Sequence, residues 1–313
     1  MQHPQSISTQ NRRQVIIGCS FVLLAAFGFS TKSILVKLAY GYSHQLDAIT
    51  LMLLRMAISL PFFLIVALWS ARKSARTNNT EPLKIKEKLM IFGLGILGYY
   101  LSSLLDFEGL AHISAGLERL ILFLYPTFVV ILTAAIYRKA INRHQTLALV
   151  LSYAGMILVF IDNMMETISP SLFVGSTLVA SSALTFALFM IGSGVLIKQI
   201  GSTRFTAYSM TTACIVTGLH FVVLHGTYPL NLPSSVYILA LIMAIFATVI
   251  PAFLMNAGIQ RIGASSASII SSAGPIATLI LAFFLLDETL TITQLAGTTL
   301  VLIGVYVVSW SKS

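Results

Sequence analysis

Charge is what this chain has least of. Only 9% of its 313 residues are Asp, Glu, Lys or Arg, against about 25% in a soluble domain. So few charges cannot clothe a water-facing surface, which excludes an ordinary soluble enzyme or binding module. Cysteine is also scarce: Cys19 and Cys214 both sit inside apolar runs, so a disulfide framework has no basis. Catalytic signatures are missing too. The six His residues form no HExxH, there is no GxSxG, and no Cys/His cluster reads as a metal site. The sequence implies no metal and no cofactor. One fragment, GLGILG at Gly93–Gly98, fits the spacing of a dinucleotide fingerprint. That fingerprint needs a preceding strand and an acid further on. Here it lies inside an apolar run, where small residues serve close helix packing.

What the chain has instead is hydrophobic length. Its residues are 57% apolar, with a mean hydropathy of +0.91. Runs such as 264–286, broken only by Ser, Thr, Gly and Pro, match the roughly 20 helical residues that cross a bilayer core about 30 Å thick. The fold class that follows is an all-α polytopic membrane protein with the lipid bilayer as its solvent. The net charge is +9, but the basic residues are scattered between the apolar runs. They read as topology signals, not as a nucleic-acid surface. Arg12 and Arg13 before the first run resemble the start of a signal peptide, yet the topology requires that run to stay.

Ten spans are expected, near 15–36, 46–69, 89–106, 115–137, 145–161, 172–197, 205–224, 234–256, 264–286 and 293–310. The connections between them alternate in charge. Arg12 and Arg13, the 70–88 loop with Arg72, Lys73, Arg76, Lys84, Lys86 and Lys88, then Arg138, Lys139 and Arg143 occupy every second connection. Lys198 and Arg204, Arg261 and Lys312 continue the series. The intervening connections carry Asp47, Glu108, Asp162, Glu166, Asp287 and Glu288. Basic residues stay on the cytoplasmic side, so both termini are expected inside the cell, in a plasma membrane (the inner membrane of a Gram-negative cell).

The chain also repeats itself. Setting Pro126 on Pro275 aligns Gly109 with Gly258, Gln145 with Gln294 and Gly155 with Gly304 at one constant offset. At that offset Arg138-Lys139 falls on Asp287-Glu288, so the charge changes sign. Five spans per copy is an odd number, and the second copy would enter the membrane from the opposite side. Inverted-topology repeats of this kind build secondary transporters, with substrate held between the halves. The expected organisation is a tail at 1–14, repeat one at 15–161, a connection at 162–171, repeat two at 172–310 and a tail at 311–313.

With ten spans, a proline in the fourth span of each repeat, and Gln and Gly in the fifth, the chain resembles the drug/metabolite transporter superfamily, specifically its EamA type. In copy two the matching positions are Pro275, Glu288, Gln294, Gly297 and Gly304. In copy one Pro126, Gln145 and Gly155 match, whereas Lys139 and Ala148 depart from the pattern. The resemblance implies export, or occasionally uptake, of small metabolites such as amino acids, purines or toxic compounds.

Charges inside spans cost most and face a partner or a cavity. Arg55 lies near mid-membrane and is a substrate contact or half of a structural ion pair; if the former, it would hold an anionic group. Lys32, Tyr99 and Tyr125 are further substrate candidates, with Tyr100 beside them. Glu118 and Arg119 open the fourth span as a gating or coupling pair, read most simply as an interfacial ion pair. Asp106 would neutralise Lys32 or Arg119. Burial disfavours the Glu118 charge and Arg119 favours it, so the pair reads as a latch more than as a proton carrier. Pro126, Pro251 and Pro275 are expected kinks or hinges. The function expected is a secondary transporter of small organic molecules, ahead of a channel, for which no TVGYG filter is present, and of an intramembrane enzyme. A homodimer stays compatible with this reading.

Overall fold

Backbone groups inside a bilayer find no water, so each crossing segment must close its own hydrogen bonds. In the computed structural model the apolar runs accordingly fold as helices. The structure describes residues 4–43, 45–77, 83–113, 115–138, 140–160, 170–226, 231–274 and 292–310, and among them no strand occurs. The helices are α1 (Pro4–Tyr42), α2 (Ala48–Thr77), α3 (Ile85–Gly95), α4 (Ser102–His112), α5 (Ala115–Leu122), α6 (Tyr125–Tyr137) and α7 (Arg143–Phe160). They continue as α8 (Pro170–Ile200), α9 (Ser202–His225), α10 (Ser234–Ala244), α11 (Ile250–Ile262), α12 (Ala264–Ile270) and α13 (Ile292–Trp310). Among the described residues six stretches are long and apolar enough to cross a membrane: Arg12–Tyr42, Ala48–Arg72, Ile85–His112, Pro170–Ile200, Ser202–His225 and Ser234–Ile262. The shortest has 24 residues and reaches about 36 Å. The chain is a multi-pass membrane protein.

Two of these stretches are not uniform. One π-helical turn, Ile96–Leu101, joins α3 to α4, and a second, Ile245–Val249, joins α10 to α11. Pro251 follows the second turn at the start of α11, where its missing N–H is tolerated. The expected span 115–137 is two helices. Leu124 N–H turns back to Ile121 O at 3.0 Å, a three-residue step that breaks the α-helix, and Pro126 then opens α6. Pro61 lies inside α2, a proline that the sequence reading missed. Pro275, Asp287 and Glu288 lie outside the described residues, as do residues 161–169 and 311–313.

The helices pack in long pairs: α1 along α10 and α11, α4 along α8, α2 along α9, and α7 along α13. Glycine makes two of these contacts. A Cβ at Gly258 would stand 2.4 Å from Val22 Cγ2 and 3.1 Å from Gly18 O. One at Gly109 would stand 2.5 Å from Val179 Cγ2 and 3.1 Å from Gly175 O. Backbones touch there, which compensates for the weak hydrophobic driving force between helices in lipid. Phe63, Phe107, Phe189, Phe205 and Met56 fill the bundle interior. Ile65, Leu68 and Val223 project outward, as acyl-chain solvent allows. Asp47 Oδ2 meets His225 Nε2 at 2.8 Å at one end of the bundle. At the other end Arg261 Nε donates to Gln14 Oε1 at 3.2 Å.

Candidate functional site

The two π-turns border the same space inside the bundle. Tyr99 from the first and Thr248 from the second line one cavity. A π-turn inserts a residue into the helical repeat and re-aims its side chains, and it recurs at functional sites. Thr248 Oγ1 donates to Met243 O at 2.9 Å, five residues back, so the side chain itself caps the irregular turn.

Arg55 of α2 lines this cavity and is 3% exposed. It lies seven residues past Ala48, about 10 Å into the helix. Nη1 donates to Thr248 Oγ1 at 3.2 Å, and the guanidinium carbon sits 4.9 Å from the centre of the Phe107 ring. Among the described residues Nε and Nη2 have no hydrogen-bond partner. A buried guanidinium in that condition is costly, so something must repay it.

Four further charges gather on α1, α4 and α5. Lys32 Nζ lies 2.5 Å from Asp106 Oδ2, with 12% and 1% of the two side chains exposed. Glu118 Oε2 lies 3.3 Å from Arg119 Nε. Arg119 is also clamped to α1, donating from Nε to Ser33 Oγ at 2.7 Å and from Nη2 to Phe29 O at 2.6 Å. The sequence suggested an interfacial Glu118–Arg119 pair. In the structure Glu118 is 0% and Arg119 8% exposed, because α5 is a short helix folded against α1 and α8. Asp106 and Glu118 are close enough to interact directly, so the four groups form one network of two cations and two carboxyls.

The tyrosines part company. Tyr99 accepts from Asn256 Nδ2 at 2.7 Å, and the same amide reaches Thr206 Oγ1 at 2.9 Å. Tyr125 spends its hydroxyl on Ser271 Oγ, which itself donates to Ala267 O at 2.8 Å. Its ring still lines the cavity. Tyr100 instead bonds His220 Nδ1 of α9 at 2.9 Å and is not among the cavity-lining residues. In GLGILG, Gly95 packs on Ser209 O and Gly98 on the Phe189 ring, whereas nothing lies within 4 Å of a Cβ at Gly93. Sequence reading missed Ser33, Phe107, Thr248, Asn256 and Ser271. Small polar residues and Phe are too common in spans to stand out, and a π-turn leaves no sequence signature. Among the described residues no group of three His, Cys, Asp or Glu side chains could hold a metal.

Residues 16–161 and 173–310 both match the EamA-like transporter family. The chain belongs to that family. It is therefore a membrane transporter of the drug/metabolite superfamily. It is 33% identical over 289 residues to the uncharacterized transporter YcbK of Bacillus subtilis (strain 168), covering 91% of this chain and 90% of the relative. An uncharacterized transporter of Archaeoglobus fulgidus is 26% identical over 280 residues, covering 86% and 92%. A solved structure titled "Crystal structure of protein" superposes with a TM-score of 0.70 at 15% identity, covering 96% of this chain and 98% of the other. That likeness speaks to the fold. Lys32, Arg55 and Arg119 all line the same cavity.

Proposed function

We propose that this EamA-like protein is a secondary transporter that exports small organic metabolites by alternating access of the central cavity. Ten spans form two five-span repeats of inverted topology, with both termini on the cytoplasmic side of the plasma membrane. One observation carries this reading: Tyr99 and Thr248, from π-turns that begin 149 positions apart, face the same cavity. The glycine crossings at Gly109 and Gly258 share that spacing, which matches the offset of the sequence repeat. Arg55 contacts substrate. Glu118 and Arg119 act as a latch holding α5 on α1, and Asp106 holds Lys32 in place. Downhill flow or exchange drives transport.

Counterflow tests the reading. Proteoliposomes are preloaded with a compound to which overexpression confers tolerance, then given a labelled trace of it outside. An alternating-access carrier accumulates label transiently above the outside concentration. Flux without that overshoot would mark a channel and refute the proposal.

A further inference from the structure

Three cations, Lys32, Arg55 and Arg119, line the cavity, and two of them have a carboxyl partner. Lys32 is matched with Asp106 and Arg119 with Glu118, which leaves one positive charge unanswered. That charge belongs to Arg55. Among the described residues no carboxylate oxygen lies within 4.0 Å of its nitrogens, and its single hydrogen bond goes to the neutral Thr248. The two unpartnered nitrogens are Nε and Nη2. They form one edge of the guanidinium, whose parallel N–H groups clamp a carboxylate in bidentate fashion.

Several hydroxyl groups of the wall are already spent within the protein. Ser30 Oγ is spent on Ala26 O and Gly274 O, at 2.8 and 2.7 Å. Ser182 Oγ donates to Ser102 O at 2.7 Å, and Ser271 Oγ to Ala267 O at 2.8 Å. Thr248 is spent on Met243 O. Tyr99 is different: it receives the Asn256 amide proton and keeps its own O–H. The bulkiest apolar side chains of the lining are aromatic or thioether: Phe29, Phe123, Phe186, Met56, Met210 and Met255. Such a wall accepts rings and flexible apolar bodies and leaves added hydroxyl groups without partners.

We propose that the cargo is an organic monoanion, a single carboxylate on an aromatic or similarly apolar body, with the carboxylate on the Nε/Nη2 edge of Arg55 and the body among the Phe and Met side chains. This rests on the cavity being the substrate site. An organic cation does not fit the charge, and a sugar or a free phosphate would set its other oxygens against the Phe and Met side chains without partners.

One scaffold in four charge states tests it: 3-phenylpropanoate, phenylalanine, phenethylamine and benzylmalonate. Binding to purified protein in detergent is read by ligand-dependent thermal stabilisation and by isothermal titration calorimetry. The wild-type ranking alone decides, so no variant needs to fold. The monoanion should bind at least about 10-fold more tightly than the other three, one tenfold step being about 1.4 kcal/mol. Arg55→Gln should weaken it about 100-fold, and Arg55→Lys, which keeps the charge and loses the fork, about 10-fold. Tighter binding of phenylalanine would show that Asp106 or Glu118 receives an ammonium group. Tighter binding of benzylmalonate would show that the two adjacent carboxyls share a proton and leave two cations free. Either result overturns the proposal, as does equal binding of all four or none. If counterflow succeeds with a neutral or cationic compound while 3-phenylpropanoate does not bind, the substrate class falls and the transporter reading stands.

Discussion

Within GLGILG the structure assigns three glycines three different burdens, and Gly98 gives the sharpest test. A Cβ there would lie 2.1 Å from Phe189 Cγ, 2.3 Å from Cδ2 and 2.5 Å from Cβ, where ordinary contact begins at 3.4 Å. Gly98→Ala therefore requires Phe189 to retreat by about 1.3 Å, the difference between those distances. Phe189 has no free direction. It is fully buried, stacks on Phe186 at 5.7 Å and on Phe205 at 6.0 Å, and meets the Tyr99 ring edge-on at 4.6 Å. Overpacking of this kind costs about 1–3 kcal/mol. Because Phe186 and Tyr99 line the cavity, the same shift should narrow it. Gly93→Ala is the internal control, since nothing lies within 4 Å of its Cβ and alanine raises helix propensity by up to about 1 kcal/mol. Thermal unfolding in detergent and initial transport rates would be measured on both variants and on Gly98→Ala/Phe189→Leu. The structure requires Gly93→Ala to match the wild type, Gly98→Ala to lose stability and most transport, and the double variant to recover part of both. Equal behaviour of Gly93→Ala and Gly98→Ala would refute the packing argument.

The Lys32–Asp106 pair is buried, so Asp106→Asn strands an ammonium group and should cost about 3–5 kcal/mol, read as a lower unfolding temperature. Lys32→Met/Asp106→Leu should be less damaging than Asp106→Asn alone, and purely additive losses would show that the two side chains are not coupled. If Glu118 is a latch, an imposed pH gradient should change the initial transport rate only weakly, and Glu118→Gln should impair transport equally at every pH. Strong stimulation by the gradient that vanishes in Glu118→Gln would make it the coupling acid instead. In a background lacking Cys19 and Cys214, an impermeant thiol reagent on intact cells should label Thr289→Cys and spare Ser74→Cys. Labelling of Ser74→Cys alone would overturn the inverted topology.

Composition and local pattern determined by themselves what kind of molecule this is. With 9% charged residues the chain can be solvated only by lipid, and continuous apolar runs of about 20 residues cross lipid as helices. That inference needs no knowledge of which helix touches which. The family was legible for a related reason: Pro, Gln and Gly at a fixed offset record a duplicated backbone, and backbone requirements persist in the residues that meet them. The charged site candidates could also be found, because a charge in an apolar run is expensive wherever it lies. Their partners could not. Asp106 goes to Lys32 and not Arg119 because α4 packs beside α1, and Arg119 is held by Ser33 and Phe29 O because α5 is a separate short helix. Pro126 marks a kink close to the break at Phe123–Leu124, but nothing in the order of residues announces the π-turns that aim Tyr99 and Thr248 inward. These depend on how neighbouring helices crowd one another, since one extra residue per turn is tolerated only where a partner supplies the missing contacts. The free edge of Arg55 is likewise a tertiary fact. It is defined by which nitrogens other helices leave unanswered, and only the packed bundle decides that.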